Sequence, residues 1–136
     1  MGMTPKALMA EAVKARRRAY APYSRFPVGA ALLAKDGRVF HGCNVENVSY
    51  GLTICAERNA VGAMVLGGKK PVAVAIVVDS REPTPPCGMC RQALAEFEPD
   101  LAVLGVTPDG ARERWSLSDL LPGAFRSAAL EEGQGE

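Results

Sequence analysis

The apolar positions of this chain follow two different spacings, and the places where the spacing changes mark its elements. Leu8, Met9, Ala12 and Val13 form a stripe at helical period. Thr4 can cap that helix and Pro5 suits its first turn, so the pattern predicts a helix running to about Tyr20. Val28 to Ala34 and Arg38 to Cys43 flank the turn residues Lys35, Asp36 and Gly37, the pattern of a β-hairpin. A polar, turn-rich loop is expected over Asn44 to Thr53, then a helix from about Cys55 to Leu66 that Gly67 and Gly68 end. Val72 to Val78 is continuously apolar and rich in β-branched residues, as in a strand covered on both faces. Pro83, Pro85 and Pro86 make a stiff approach to Cys87, and a helix is expected from about Gly88 to Phe97. Leu101 to Val106 reads as a second buried strand, and Pro108, Asp109 and Gly110 as a turn. Arg112 to Ser116 reads as an edge strand, followed by a short helix capped by Ser118 and broken at Pro122 and Gly123. Hairpin, helix, strand, helix, strand is an α/β arrangement, with helices packed on one sheet. One domain over residues 1–136 accounts for all of it, with the polar residues 131–136 expected to fray.

Composition narrows the class. The chain has 136 residues, 48% hydrophobic and 23% charged, enough to bury a core without disulfides. Sixteen Lys and Arg against fifteen Asp and Glu leave a net charge of +1, which gives no field for gathering phosphates. The basic cluster of Lys14, Arg16, Arg17 and Arg18 is read as a solvated helix face, not a nucleic-acid patch. No apolar run reaches the roughly 20 residues of a membrane helix, and the first residues lack the pattern of a secretion signal. A cytoplasmic location with four reduced cysteines is the expectation, and reduced cysteines point to metal or catalysis. Four buried small hydrophobes are the competing reading.

The cysteine spacing carries the chemistry. Cys87 and Cys90 lie three apart at a helix start, so they can share one cation, and Cys55 opens the other helix. A CxxC pair also serves redox chemistry and structural zinc, but a third cysteine at a helix start favours a metal. Three ligands would leave the fourth position of zinc open, as in catalytic sites. Three thiolates around one Zn2+ leave one excess negative charge, which two helix N-termini can offset. Arg58 can donate to the ligand sulfurs or form a surface ion pair; spacing does not choose between these. Glu57 can be a favourable charge in a first helical turn, or it can move protons beside a metal-bound water. A non-ligand Glu two residues after the first ligand, followed later by PCxxC, is the arrangement of zinc nucleobase deaminases. His41 is read as a surface or sheet residue.

Five stretches then resemble the small homotetrameric cytidine deaminases, within the cytidine and deoxycytidylate deaminase family. They are Tyr20 to Leu32 (YAPYSRFPVGAAL), Gly42 to Asn47 (GCNVEN), Cys55 to Ala60 (CAERNA), Pro86 to Gln92 (PCGMCRQ) and Leu120 to Phe125 (LLPGAF). The resemblance implies a single mixed β-sheet with helices on both faces, a three-layer α/β/α fold. It implies Cys55, Cys87 and Cys90 as zinc ligands, Glu57 as proton shuttle and Arg58 as hydrogen-bond donor to the thiolates. Phe26, Asn44, Glu46, Ala56 and Phe125 become the substrate-binding positions. Asn44 and Glu46 are expected on the ribose hydroxyls, Phe26 at the pyrimidine, and Phe125 at the base bound by a neighbouring subunit of a homotetramer. Cys43 matches no ligand and is expected to be structural. The implied reaction is hydrolysis at carbon 4 of cytosine, converting cytidine or deoxycytidine to the uracil nucleoside and ammonia, usually in pyrimidine salvage. A carboxylate at the sugar suits hydroxyls and repels phosphate, which favours a free nucleoside. A deaminase of a related cytosine nucleoside such as blasticidin S is the nearest rival. A structural zinc module, with a fourth ligand such as Cys43, is the rival of another class.

Overall fold

A computed structural model describes residues 3–128 and 130, so the expected fraying of residues 131–136 lies outside the described residues. Helix α1 (Pro5–Arg16) starts as the sequence predicts, with the Thr4 hydroxyl accepting the Ala7 amide at 3.1 Å. It stops four residues earlier than expected. Arg17, Arg18 and Ala19 bond back three residues each, which tightens the last turn. Tyr20 instead pairs with a distant loop: its amide donates to the Asn44 carbonyl and its carbonyl accepts the Glu46 amide, both at 2.9 Å.

Strands β1 (Val28–Ala34) and β2 (Val39–Cys43) form the expected hairpin, with Gly37 at φ 94° in its turn. Helix α2 (Ala56–Gly67) leads to β3 (Pro71–Val78), α3 (Gly88–Ala95), β4 (Ala102–Val106), β5 (Arg112–Ser116) and the short α4 (Leu117–Leu120). The sheet order is β2-β1-β3-β4-β5; only β3 and β4 are parallel, so the sheet is mixed. Helix α3 ends at Ala95, two residues short of the expected Phe97, whose ring packs against the core. Ser116, not Ser118, occupies the N-cap of α4, because the Leu117 amide is still bonded to the Leu101 carbonyl at 2.9 Å. Ser118 contributes through its hydroxyl, 2.9 Å from that of Ser116.

Strand alternation sends side chains to two cores. Ala30, Leu32, Val74, Ile76 and Val103 meet Ala56, Ala60 and Met64 of α2 and Leu94 of α3 on one face. Ala31, Leu33, Ala75, Val77 and Leu104 meet Leu8, Met9 and Ala12 of α1 on the other. The sheet therefore has helices on both faces, the three-layer arrangement that the resemblance implies.

One close approach positions the chemistry. A Cβ on Gly42 would stand 2.1 Å from the Ala56 carbonyl oxygen and 2.5 Å from the Ala60 amide nitrogen. Only a residue without a side chain lets the first turns of α2 lie on β2 at this depth. Both obstructing atoms are backbone, so Gly42→Ala must shift the helix. The expected cost is about 3 kcal/mol, a fall of roughly 10 °C in melting temperature for a domain of this size. Thermal denaturation followed by circular dichroism measures it. A fall of less than a couple of degrees would mean that α2 slides freely on the strand.

Candidate active site

Cys55 is the N-cap residue of α2 and Cys87 that of α3; Cys90 stands in the first turn of α3. Both helices begin beyond the C-terminal ends of β2 and β3, so their positive ends converge there. The three sulfur atoms lie within 4.8 Å of one another. All are free thiols: Cys90 is fully buried, Cys55 half-buried and Cys87 exposed. Among the described residues this is the cluster able to hold a metal, and neither Cys43 nor His41 belongs to it. Cys43 is half-buried, burial pushes its thiol up, and its carbonyl accepts Asn59 Nδ2 at 2.8 Å. A Cys₄ site including Cys43 is therefore not what these residues form. His41 is exposed and pairs with Glu11 at 2.9 Å, as a surface residue of the sheet.

The sulfurs share their protons unequally. The Cys55 thiol is pulled down to about 5, first by hydrogen bonding from Cys90, with Arg58 adding to the effect. Cys90 is pushed the other way by the same contact and by burial. The contact thus favours the thiolate at Cys55 over that at Cys90. A divalent cation would let the three sulfurs ionise together, and soft thiolates within 4.8 Å of one another suit zinc. Arg58 Nη2 lies 3.8 Å from the Cys55 sulfur and 3.3 Å from the Thr53 carbonyl. Spacing left this arginine undecided; its geometry places the guanidinium on the sulfur.

Glu57, 5% exposed, shares a cavity of about 490 Å³ with Cys55, Cys87, Ala56, Phe26 and Asn44. That volume lies within the ordinary range for small-molecule sites. Burial, with the nearby Cys55 charge, pushes the Glu57 carboxyl above its ordinary value. Asn44 is buried and fixed at both ends of its amide: Oδ1 accepts the Val28 amide at 2.8 Å and Nδ2 donates to the Phe26 carbonyl at 3.0 Å. Phe26 stands at the rim, partly exposed.

Glu46 opens onto an adjoining cavity of about 250 Å³, with Tyr23, Ser24, Tyr50 and Thr53; Thr53 borders both spaces. Its carboxylate accepts the Ser24 hydroxyl and the Tyr23 and Ser24 amides at 2.9 and 3.1 Å, which hold it below its ordinary value. Phe125 is not brought to the cluster of its own chain. It is 62% exposed and lines a separate cavity beside Pro99 and Leu121. Sequence reasoning passed over Arg91, which lines the main cavity and bonds to the carbonyls of Pro86 and Leu120. Its position directly after a candidate ligand was the available signal.

Comparisons with known proteins agree with this geometry. A family model described as "Cytidine and deoxycytidylate deaminase zinc-binding region" matches residues 3–106. The chain is 48% identical over 132 residues to the cytidine deaminase of Halalkalibacterium halodurans, covering 96% of this chain and 100% of that protein. It is 49% identical over 130 residues to that of Sporosarcina psychrophila, covering 94% and 96%. The crystal structure of cytidine deaminase from Burkholderia pseudomallei superposes with a TM-score of 0.87 at 49% identity, covering 90% of this chain and 100% of that one. That of Mycobacterium tuberculosis gives 0.79 at 46%, covering 90% and 98%. With its three thiols at two helix starts and a buried carboxyl beside them, the chain belongs to the cytidine and deoxycytidylate deaminase family.

Proposed function

We propose that this protein is a zinc-dependent cytidine deaminase that hydrolyses the free nucleosides cytidine and deoxycytidine. The observation that carries the reading is the buried Glu57 carboxyl in one cavity with a three-sulfur cluster at two helix N-termini. Cys55, Cys87 and Cys90 would hold zinc, which supplies an activated water of near-neutral pKa when bound. Glu57 takes a proton from the attacking water and gives it to ring nitrogen 3, which makes carbon 4 electrophilic. After water oxygen has bonded to carbon 4, Glu57 carries a second proton to the amino group. The carbon–nitrogen bond breaks, and uridine and ammonia leave. A carboxyl raised by burial suits both halves of this cycle, since it holds a proton more readily than an exposed carboxyl and can still return it.

Phe26 and Ala56 form walls of the pyrimidine pocket in this reading, and Asn44 and Glu46 meet the ribose hydroxyls. Arg58 offsets the thiolate charge. Free thiols suit a reducing compartment, so we place the protein in the cytoplasm, in pyrimidine salvage. Among the described residues no helix is long and apolar enough to cross a membrane. Neither a nucleic-acid partner nor a membrane is part of the proposal. A spectrophotometric assay with cytidine, deoxycytidine, dCMP and cytosine side by side tests the substrate. Turnover of the two nucleosides with little of dCMP or cytosine is expected; a preference for dCMP would overturn the nucleoside assignment.

The same reading makes the protein a homotetramer in which Phe125 serves a neighbour's site. Its exposure and its distance from its own cluster support this. Phe125→Ala is expected to lower kcat/KM by about tenfold while zinc content stays at one per chain. Co-refolding Phe125→Ala with Glu57→Gln should then recover activity, because one kind of chain supplies Glu57 and the other supplies the ring. No recovery in mixed assemblies would place Phe125 in its own subunit's site or in none.

A further inference from the structure

Cys87 is the exposed member of the sulfur cluster, so packing around its own side chain does little to place it. Its position is set by backbone, and one residue holds that backbone from both sides. The Arg91 amide donates to the Cys87 carbonyl at 3.0 Å, as the first turn of α3 requires. Arg91 Nε donates to the carbonyl of Pro86, the residue before Cys87, at 2.6 Å. The carbonyls on either side of the Pro86–Cys87 peptide junction are thus fixed by a single side chain and its own amide.

The other branch of the guanidinium reaches elsewhere. Nη1 donates to the Leu120 carbonyl at 2.7 Å, at the open end of α4 where no further helical turn can satisfy it. The next residue, Gln92, donates through Nε2 to the Phe125 carbonyl at 3.0 Å. Both ends of the Leu120–Phe125 segment are therefore tied to residues that directly follow Cys90. Only a planar fork spans two carbonyls on different elements in this way; a lysine reaches one or the other.

We infer that Arg91 is a positioning residue for the metal centre, fixing the Cys87 loop, and that with Gln92 it sets the Phe125 segment relative to that centre. The inference rests on the proposed zinc site but not on the identity of the substrate. Groups that orient metal ligands without touching the metal change affinity by about tenfold to a hundredfold when removed. Arg91 has that place here with respect to Cys87.

The test measures zinc transfer from the loaded protein to a chromogenic chelator, together with the thiolate-to-metal absorption of the cobalt-loaded form. Arg91→Ala is expected to release zinc about tenfold or more faster than wild type and to shift the cobalt spectrum. Arg91→Lys keeps the charge and reaches one carbonyl, so its release rate should fall between the two; it also serves if the alanine variant does not fold. Leu8→Ala lies in the core on the opposite face of the sheet and should lose stability without changing either readout. Gln92→Ala should leave zinc release unchanged and raise KM severalfold through Phe125. A folded Arg91→Ala with wild-type release and spectrum would overturn the inference while leaving the deaminase reading intact. So would equal acceleration in Gln92→Ala or Leu8→Ala, since the effect would then be general loosening. Faster release in a protein that proves inert to cytidine would sustain the inference and sink the deaminase reading.

Discussion

Glu57→Gln should bind zinc at one ion per chain, melt no lower than wild type, and turn over cytidine at least about a thousandfold more slowly. The three expectations follow from one local fact, the burial of this carboxyl at the start of α2. The amide has the same shape, so the cavity wall is preserved. A buried carboxylate costs solvation energy that a neutral amide does not, which removes any reason for the variant to be less stable. An ionised Glu57 also adds negative charge beside Cys55, so its loss does not weaken the thiolate cluster. What the amide cannot do is accept a proton from water and return it. Zinc analysis, thermal melting and steady-state assay on one preparation check all three. Near wild-type turnover in Glu57→Gln would remove Glu57 from the proton path and the mechanism with it.

The sequence made the elements and the metal cluster legible for the same reason: both are written in local spacing. A three-residue cysteine interval at a helix start, and a third cysteine opening another helix, specify where sulfurs point once the helices form. The runs over Val72 to Val78 and Leu101 to Val106 declared themselves as buried strands, and the strands they form, Pro71–Val78 and Ala102–Val106, are the parallel pair inside the sheet. The misjudged boundaries are those decided by distant partners. Tyr20 leaves the helix because Asn44 and Val45 offer it a bridge, and nothing near Tyr20 announces them. Ser116 displaces Ser118 at the cap of α4 because Leu117 is held by Leu101.

The positions proposed to meet the substrate were legible only by resemblance. Asn44 looks like a turn residue in sequence, yet its amide is fixed by Val28 and Phe26, which makes it a strut between the hairpin and the pocket rim. Glu46 is likewise held by Tyr23 and Ser24, a network assembled across more than twenty residues of chain. Arg91 shows the converse. Its neighbours Cys87 and Cys90 drew the reading, while its own contacts with Pro86 and Leu120 became visible only when the fold brought α4 alongside α3.

Removing one sulfur should be as severe for turnover as removing the carboxyl, but the choice of cysteine decides what the experiment means. Cys90 is fully buried against the core, so truncating it would combine ligand loss with a cavity. Cys55 carries the Arg58 contact, so its loss would strand a guanidinium whose Nε already has no hydrogen-bond partner. Cys87 is exposed and touches neither problem. Cys87→Ala is therefore expected to fold as the metal-free protein does, to retain less than about a tenth of an equivalent of zinc after dialysis against a weak chelator, and to lose turnover by at least about a thousandfold, the mark of losing a metal-activated nucleophile. Its melting temperature should match that of wild type stripped with chelator, and it should not rise when zinc is added back. Wild type should rise, because a ligand that binds only the folded state stabilises it in proportion to the logarithm of its concentration over Kd. Metal analysis with paired melting curves reads both effects. Full zinc occupancy and normal turnover in Cys87→Ala would mean that two sulfurs and another group hold the ion, and the three-thiolate site would have to be abandoned.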